Sequence, residues 1–408
     1  SGVAALLMFG PALLTSWASG REEAQARVSP GLPPRARAAV AGVLLVAGVA
    51  WMVGAVPPTS KDVIAIGRDI AGTVDWREKR EFLFVGEGAT SSVAVTDHAG
   101  TLRSFHVGGK VMASDDPRDM RMQRMLAHLP ALFHPRPRKV LIVGFGAGIT
   151  AGSFVHYPEI ERIVICEIEP VVLEGARNHF AAQNYGVLDD PRVEVIFDDA
   201  RHFIATTREK FDIITSDPIP PWMDGVGALY TAEYHELVKQ HLEPGGFAVQ
   251  WAPLYETDEP SVKSQFGTFL RAFPEGTLWS SLLPGSGYDM VLVGQVEPLR
   301  IDTEAIDARL AANPALQASL DEVGLGSAMG LLTTYAGRGR DLESWLEDAQ
   351  INRDRSMRLQ YLAGLSLEQK HEDEIYQTLS DYRRYPDDMI EAPGWVHYRL
   401  KRLFIGGL

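Results

Sequence analysis

The spacing of apolar residues divides this chain into regions of different kinds. Residues 1–20 have no charged residue, and neither does Ala38–Ser60, which includes the run AAVAGVLLVAGVAWMVGAV. Each is about as long as a helix that spans a bilayer. Pro11 and Thr15-Ser16 weaken the first, which also lacks the basic start of a signal peptide, whereas Pro57-Pro58 close the second cleanly. Because the chain opens at Ser1 inside apolar sequence, residues 1–58 are expected to be the end of a longer, multi-pass membrane region.

Period-two alternation follows. EFLFVGEG, SSVAVTD, LRSFHV and KVMAS, separated by turns at His98-Ala99-Gly100 and Gly108-Gly109, predict a small antiparallel β unit over Arg80–Ser114. The period then becomes helical over Asp115–Leu132, where Met122, Met125, Leu126 and Leu129 share a face; such a stripe is read as core. These segments make residues 59–135 a small β domain with a linking helix.

From Lys139 to Pro170 the pattern is strand, glycine turn, helix, strand. Val140–Val143 is a short apolar run, Gly144-Phe145-Gly146-Ala147-Gly148 a tight turn, and Ile163–Cys166 a second strand that ends at Glu167. This βαβ unit places an acid at a strand end, nineteen residues after Gly148, where it can accept bonds from two ribose hydroxyls. Strands at Val193–Phe197, Asp212–Ser216 and Phe247–Trp251 alternate with helices near Ala200–Arg208 and Thr231–His241, and Thr277–Leu283 with Asp289–Val293 form a closing hairpin. The seven strands predict an α/β, Rossmann-like sheet of the nucleoside-dependent transferase kind over residues 136–300, rather than a six-stranded parallel dinucleotide fold. Residues 301–350 read as helical and Leu365–Leu403 as charged helices, giving a helical C-terminal region, 301–408, with no assignable chemistry.

Composition narrows the function. A net charge of −14 with no basic stripe excludes a nucleic-acid binder and suits a cationic substrate. The single cysteine, Cys166, rules out a disulfide within the chain, and the histidines have no ligand-like spacing, so no metal is expected. Arg21, Arg27, Arg35 and Arg37 between the two apolar stretches are opposed by Lys61, Arg68, Arg77, Lys79 and Arg80, so charge leaves the membrane orientation open. A nucleoside ligand argues for a cytoplasmic catalytic domain. Homo-oligomerisation is left open.

Residues 80–295 resemble the polyamine aminopropyltransferases, or spermidine synthases, in particular the bacterial branch whose catalytic domain follows a membrane region. The resemblance rests on MASDDPRDMRMQRMLAHLPALFHPRPRKVLIVGFGAG, CEIEP, LDDPRVEVIFDDARHF, SDPIPPWMDGVGALYTAEYHEL and PGGFAVQWAPLY; INRDRSMRLQYLAG resembles a degenerate C-terminal motif of that branch. It implies that Gly144, Gly146 and Gly148 cradle the donor, that Glu167 holds its ribose, that Asp199 with Ala200 reads adenine, and that Gln123 lies near the donor's tail. Asp217 then matches the catalytic aspartate, and Asp119, Met122, Pro220, Trp222, Gln250 and Tyr255 line the substrate pocket. Trp222, Trp251 and Tyr255 are candidates for an aromatic wall around a cation; Tyr230 and Tyr234 are assigned to packing.

Three departures stand against the resemblance. Where the family has an aspartate that grips the aminopropyl amine, this chain has Ala147; where a second aspartate binds the diamine, it has Pro220; where a tyrosine lines the diamine pocket, it has Met122. Putrescine is therefore disfavoured as acceptor. The expected function is a spermidine synthase-like transfer from S-adenosylmethionine or its decarboxylated form, with release of methylthioadenosine and with an intramolecular route open to S-adenosylmethionine. The alternatives are a methyltransferase and a non-catalytic nucleoside sensor attached to a transporter.

Overall fold

The computed structural model describes residues 33–55, 59–67, 80–216, 220–223, 225–281, 288–367 and 369–405. Contacts divide the chain into two units, Ser1–Thr59 and Ser60–Leu408. In the first, Pro34–Ala55 forms a 22-residue helix with no buried residue, and an 18-residue stretch of it has a mean hydropathy of 2.2. Among the described residues it is the one helix long and apolar enough to cross a bilayer. Of the two expected spans this helix is one; the other stretch, residues 1–20, lies outside the described residues.

The second unit begins with a four-stranded antiparallel sheet in the order β1 (Glu81–Glu87), β2 (Ser92–His98), β3 (Leu102–Val107), β4 (Lys110–Ser114). Short turns fix its register: the three-residue turn 99–101, in which Ala99 and Gly100 have positive φ, and the two-residue turn Gly108-Gly109, where both φ are positive, the backbone that matches the twist of a tight hairpin. Helix Pro117–Phe133 follows, capped by the Asp116 side chain accepting from Arg118 N. Met122, Met125, Leu126 and Leu129 are all buried in the core, as their spacing predicts.

The main sheet contains β5 (Lys139–Val143), β6 (Arg162–Glu167), β7 (Val193–Phe197), β8 (Phe211–Ser216), β9 (Leu242–Pro253), β10 (Thr277–Ser280) and β11 (Asp289–Gln295). Two short strands, β12 (Ile301–Asp302) and β14 (Ile390–Glu391), pair with each other, and between them in sequence lies β13 (Tyr335–Arg338). The order is β13-β10-β11-β9-β8-β5-β6-β7, with β5 to β9 parallel and β11, β10 and β13 joined by antiparallel pairings. Val140 and Ile142 enter one core layer while Leu141 and Val143 enter the other, so β5 is buried on both faces. That explains its unbroken apolar run.

One expectation changes here. The sheet has eight strands rather than seven, because Tyr335–Arg338, read as helical, pairs with β10. A four-residue strand is too short to show alternation. The C-terminal region also packs closely on the rest of the unit: Arg124 and His128 of helix Pro117–Phe133 are buried against Ser319, with Arg124 paired to Glu322.

Candidate active site

The sheet order reverses between β5 and β8, and open α/β sheets bind ligands outside the carboxyl ends of the strands at such a point. Val143, the last residue of β5, is in register with Ser216, the last of β8. Immediately after them come the glycine turn and Asp217. Asp217, with Pro218 and Ile219, lies outside the described residues.

The turn is built for close approach. Gly144, Gly146 and Gly148 have φ of 82°, 53° and 80°, and a methyl on Gly148 would sit 2.5 Å from the Phe145 ring. Phe145 N donates to one Glu167 oxygen at 2.8 Å and Glu169 N to the other at 2.9 Å. Glu167 is thus oriented by the turn and by the start of the next helix. Each carboxylate oxygen retains a second lone pair. Burial raises the Glu167 carboxyl above its ordinary range, while the backbone bonds from Glu169, Phe145 and Ile168 pull it back. The neighbouring Glu169 ties in the small β domain, accepting from Thr90 N at 2.7 Å and Thr90 Oγ1 at 2.9 Å.

At the end of β7, Asp199 caps the next helix, one oxygen accepting from His202 N at 2.9 Å; its exposed side chain leaves the other oxygen open. Ala200 is the first residue of that helix, where backbone N–H groups have no helical partner. Between these acids, Ile168 and Phe197 are 52% and 56% exposed, and Phe197 is in register with Glu167. Sequence reasoning missed both, since their exposure depends on where the two strands end.

Toward β8, Gln123 is buried with its Nε2 unpartnered, and Gln250, in register with Ser216, donates to Leu229 O at 3.1 Å but leaves Oε1 unpartnered. Asp119 keeps part of its surface open but is ringed by protein; burial pushes its carboxyl up to about 6, against hydrogen bonds with Ser114. Tyr255 stacks on Tyr288 at 4.3 Å. Trp222 is half-buried, whereas Trp251 is buried, its Nε1 donating to Asp289 at 2.7 Å. The cation between Trp222 and Tyr255 is Lys110, 5.0 and 5.4 Å from the ring centroids. No local pattern in the sequence points to Lys110.

The three departures are placed as follows. Ala147 is 1% exposed within the core, its carbonyl accepting from Asn184 Nδ2 at 3.0 Å. Met122 belongs to the same core. Pro220 is buried and begins a turn in which Met223 N donates to its carbonyl at 3.0 Å. Tyr230 and Tyr234 are buried, as expected of packing residues.

A brace from the C-terminal region holds the segment after that turn. Asn352 is fully buried: its Nδ2 donates to Gly227 O at 3.1 Å, its Oδ1 accepts from Leu359 N at 3.1 Å, its N donates to Thr268 Oγ1 and its O accepts from Ala232 N. Arg201, next to Ala200, reaches Ala228 O at 2.8 Å and pairs with Asp354.

Residues 119–275 match the spermine/spermidine synthase domain. The chain thus carries a spermine/spermidine synthase domain over part of its length. Among its relatives, the polyamine aminopropyltransferase of Nitrosomonas europaea is 29% identical over 238 residues, covering 56% of this chain and 70% of that protein. That of Aeropyrum pernix is 33% identical over 174 residues, covering 42% of this chain and 55% of that protein, so the match spans about half its length. A spermidine synthase solved in complex with the transition-state analogue AdoDATO aligns with a TM-score of 0.50 at 22% identity, covering 60% of this chain and 88% of that one; it supports the fold alone.

Proposed function

We propose that this spermidine synthase-like enzyme acts on S-adenosylmethionine or its decarboxylated form, directing a nucleophile at the carbon beside the sulfonium and releasing methylthioadenosine. The observation that carries the reading is Glu167, whose carboxylate is oriented by Phe145 N and Glu169 N beside the glycine turn. Its open lone pairs suit two ribose hydroxyls, Ile168 and Phe197 suit the faces of a purine, and Asp199 with the Ala200 N–H suits its edge. Gln123 and Gln250 offer unpartnered amide atoms toward the donor's tail.

The reaction needs alignment more than activation, because the carbon beside S⁺ is already electrophilic. Asp217 follows β8 at the switch point and is assigned the proton of the attacking group. Putrescine is disfavoured as acceptor. Ala147 and Met122 are part of the core and Pro220 part of a turn, so none supplies a carboxylate for a second ammonium. An intramolecular route then becomes available to S-adenosylmethionine. A carboxylate oxygen of its own tail bonds to the carbon, the C–S bond breaks with its electron pair left on sulfur, and a lactone of the tail departs beside methylthioadenosine. Proximity strongly favours this closure. The helix Pro34–Ala55 is read as a membrane anchor, supported by its uncharged, apolar run from Ala38 onward.

The test is to incubate purified protein with each donor, with and without putrescine, and to identify products by mass spectrometry. We expect methylthioadenosine from S-adenosylmethionine alone. Its absence with both donors, with and without amine, would overturn the reading, and S-adenosylhomocysteine would replace it with methyl transfer.

A further inference from the structure

The Gly108–Gly109 turn of the small β domain reaches the main sheet's ligand edge: a methyl on Gly108 would lie 3.3 Å from Met223 Cε, in the loop after β8. The next residue, Lys110, extends its ammonium over the rings of Trp222 and Tyr255, both within the range of cation–π attraction. The Glu256 carboxylate pairs with the same ammonium. Glu256 adopts φ 50°, in the left-handed region that few residues with a side chain enter. Tyr288 backs Tyr255 by stacking at 4.3 Å and 21°. Four separated stretches thus converge on one positive charge whose side chain is only 22% exposed.

Two aromatic faces and a carboxylate form a seat for an alkylammonium. Its position is that of an acceptor site. Trp222 lies five residues after Asp217 and Tyr255 five after Gln250, which is in register with Ser216 at the exit of β8. The seat is filled from within the chain. A second ammonium brought against Lys110 in this partly desolvated place would meet like charge, with Glu256 already engaged.

We propose that Lys110 is a specificity-determining residue: its ammonium occupies the seat in which an external amine acceptor would dock, and so excludes diamines. The inference rests on the donor-site reading given above. It adds a positive cause of exclusion to the missing carboxylates, and it leaves an acceptor-free reaction unobstructed.

The test uses the full chain and its Lys110→Ala, Lys110→Met and Lys110→Arg variants, with methylthioadenosine and putrescine as calorimetric ligands. Methylthioadenosine binding by each variant reports an intact donor site. Putrescine, added to the methylthioadenosine-loaded protein, is expected to bind the Ala and Met variants about tenfold or more tighter than wild type or the Arg variant, the scale of one like-charge contact removed. Lys110→Met keeps most of the apolar stem and serves if Lys110→Ala fails to fold. Equal putrescine affinity in wild type and the neutral variants would overturn the proposal, as would tight putrescine binding by the wild type itself. If wild type fails to bind methylthioadenosine, the donor-site reading fails instead, whatever putrescine does.

Discussion

Glu167 has little freedom to change, because both its oxygens accept backbone bonds. Gln would turn an amide N–H₂ toward the N–H of Phe145 or Glu169, so the nearly isosteric change replaces an acceptor with a donor. Glu167→Gln is expected to weaken methylthioadenosine binding by about 1–3 kcal/mol and to lower unfolding free energy on a similar scale. Calorimetry and urea titration check the two effects, and unchanged affinity would remove Glu167 from the site. Asp119 makes a pH prediction. Its folded carboxyl holds a proton up to about 6, whereas an unfolded one releases it near 3.8, so the folded state binds more protons between those values. Stability from this group is therefore present at low pH and lost as pH rises through that window. Asp119→Asn should match wild type near pH 4 and melt at a higher temperature above pH 6. A melting difference constant across pH would show that the carboxyl is not shifted.

At the scale of elements, the glycine turn depends on a packing contact as well as on its φ angles. Gly152, in the short helix after the turn, lies so close to the 184 loop that a methyl there would sit 2.2 Å from Asn184 O. Gly152→Ala is expected to lower the melting temperature and weaken nucleoside binding together; a variant with unaltered melting would show that the loop yields. The brace makes a parallel prediction. Asn352→Ala leaves Gly227 O and Leu359 N without their partners, and should cost about 1–3 kcal/mol in chemical denaturation, with Asn352→Asp recovering only the Leu359 bond. These contacts divide what the sequence reveals from what it does not. The turn, the strand-end acid and the buried methionine face were legible because each depends on neighbours a few residues away. Asn352 and Asp354 were not, because their partners lie 125 and 153 residues back. Lys110 was hidden for the same reason, and β13 by its brevity.

For the whole molecule, the division at Thr59 predicts that a chain starting at Ser60 is soluble without detergent and binds methylthioadenosine, while the longer chain floats with liposomes. A longer chain that stays in the aqueous phase would overturn the anchor. Residues 60–408 form one compact unit, and the C-terminal region contributes both β13 and the Asn352 brace to it. The chain up to residue 300 is therefore an incomplete domain, with β10 left as an open edge. That arrangement also imposes an order in time. On the ribosome, the glycine turn, Glu167 and Asp199 have all been made once Arg201 is added, but Asp354, which pairs with Arg201 beside the 228 carbonyl, comes 153 residues later, on the order of 8–30 s of synthesis. The brace on the 227–232 segment therefore closes only after every parallel strand of the main sheet has been made.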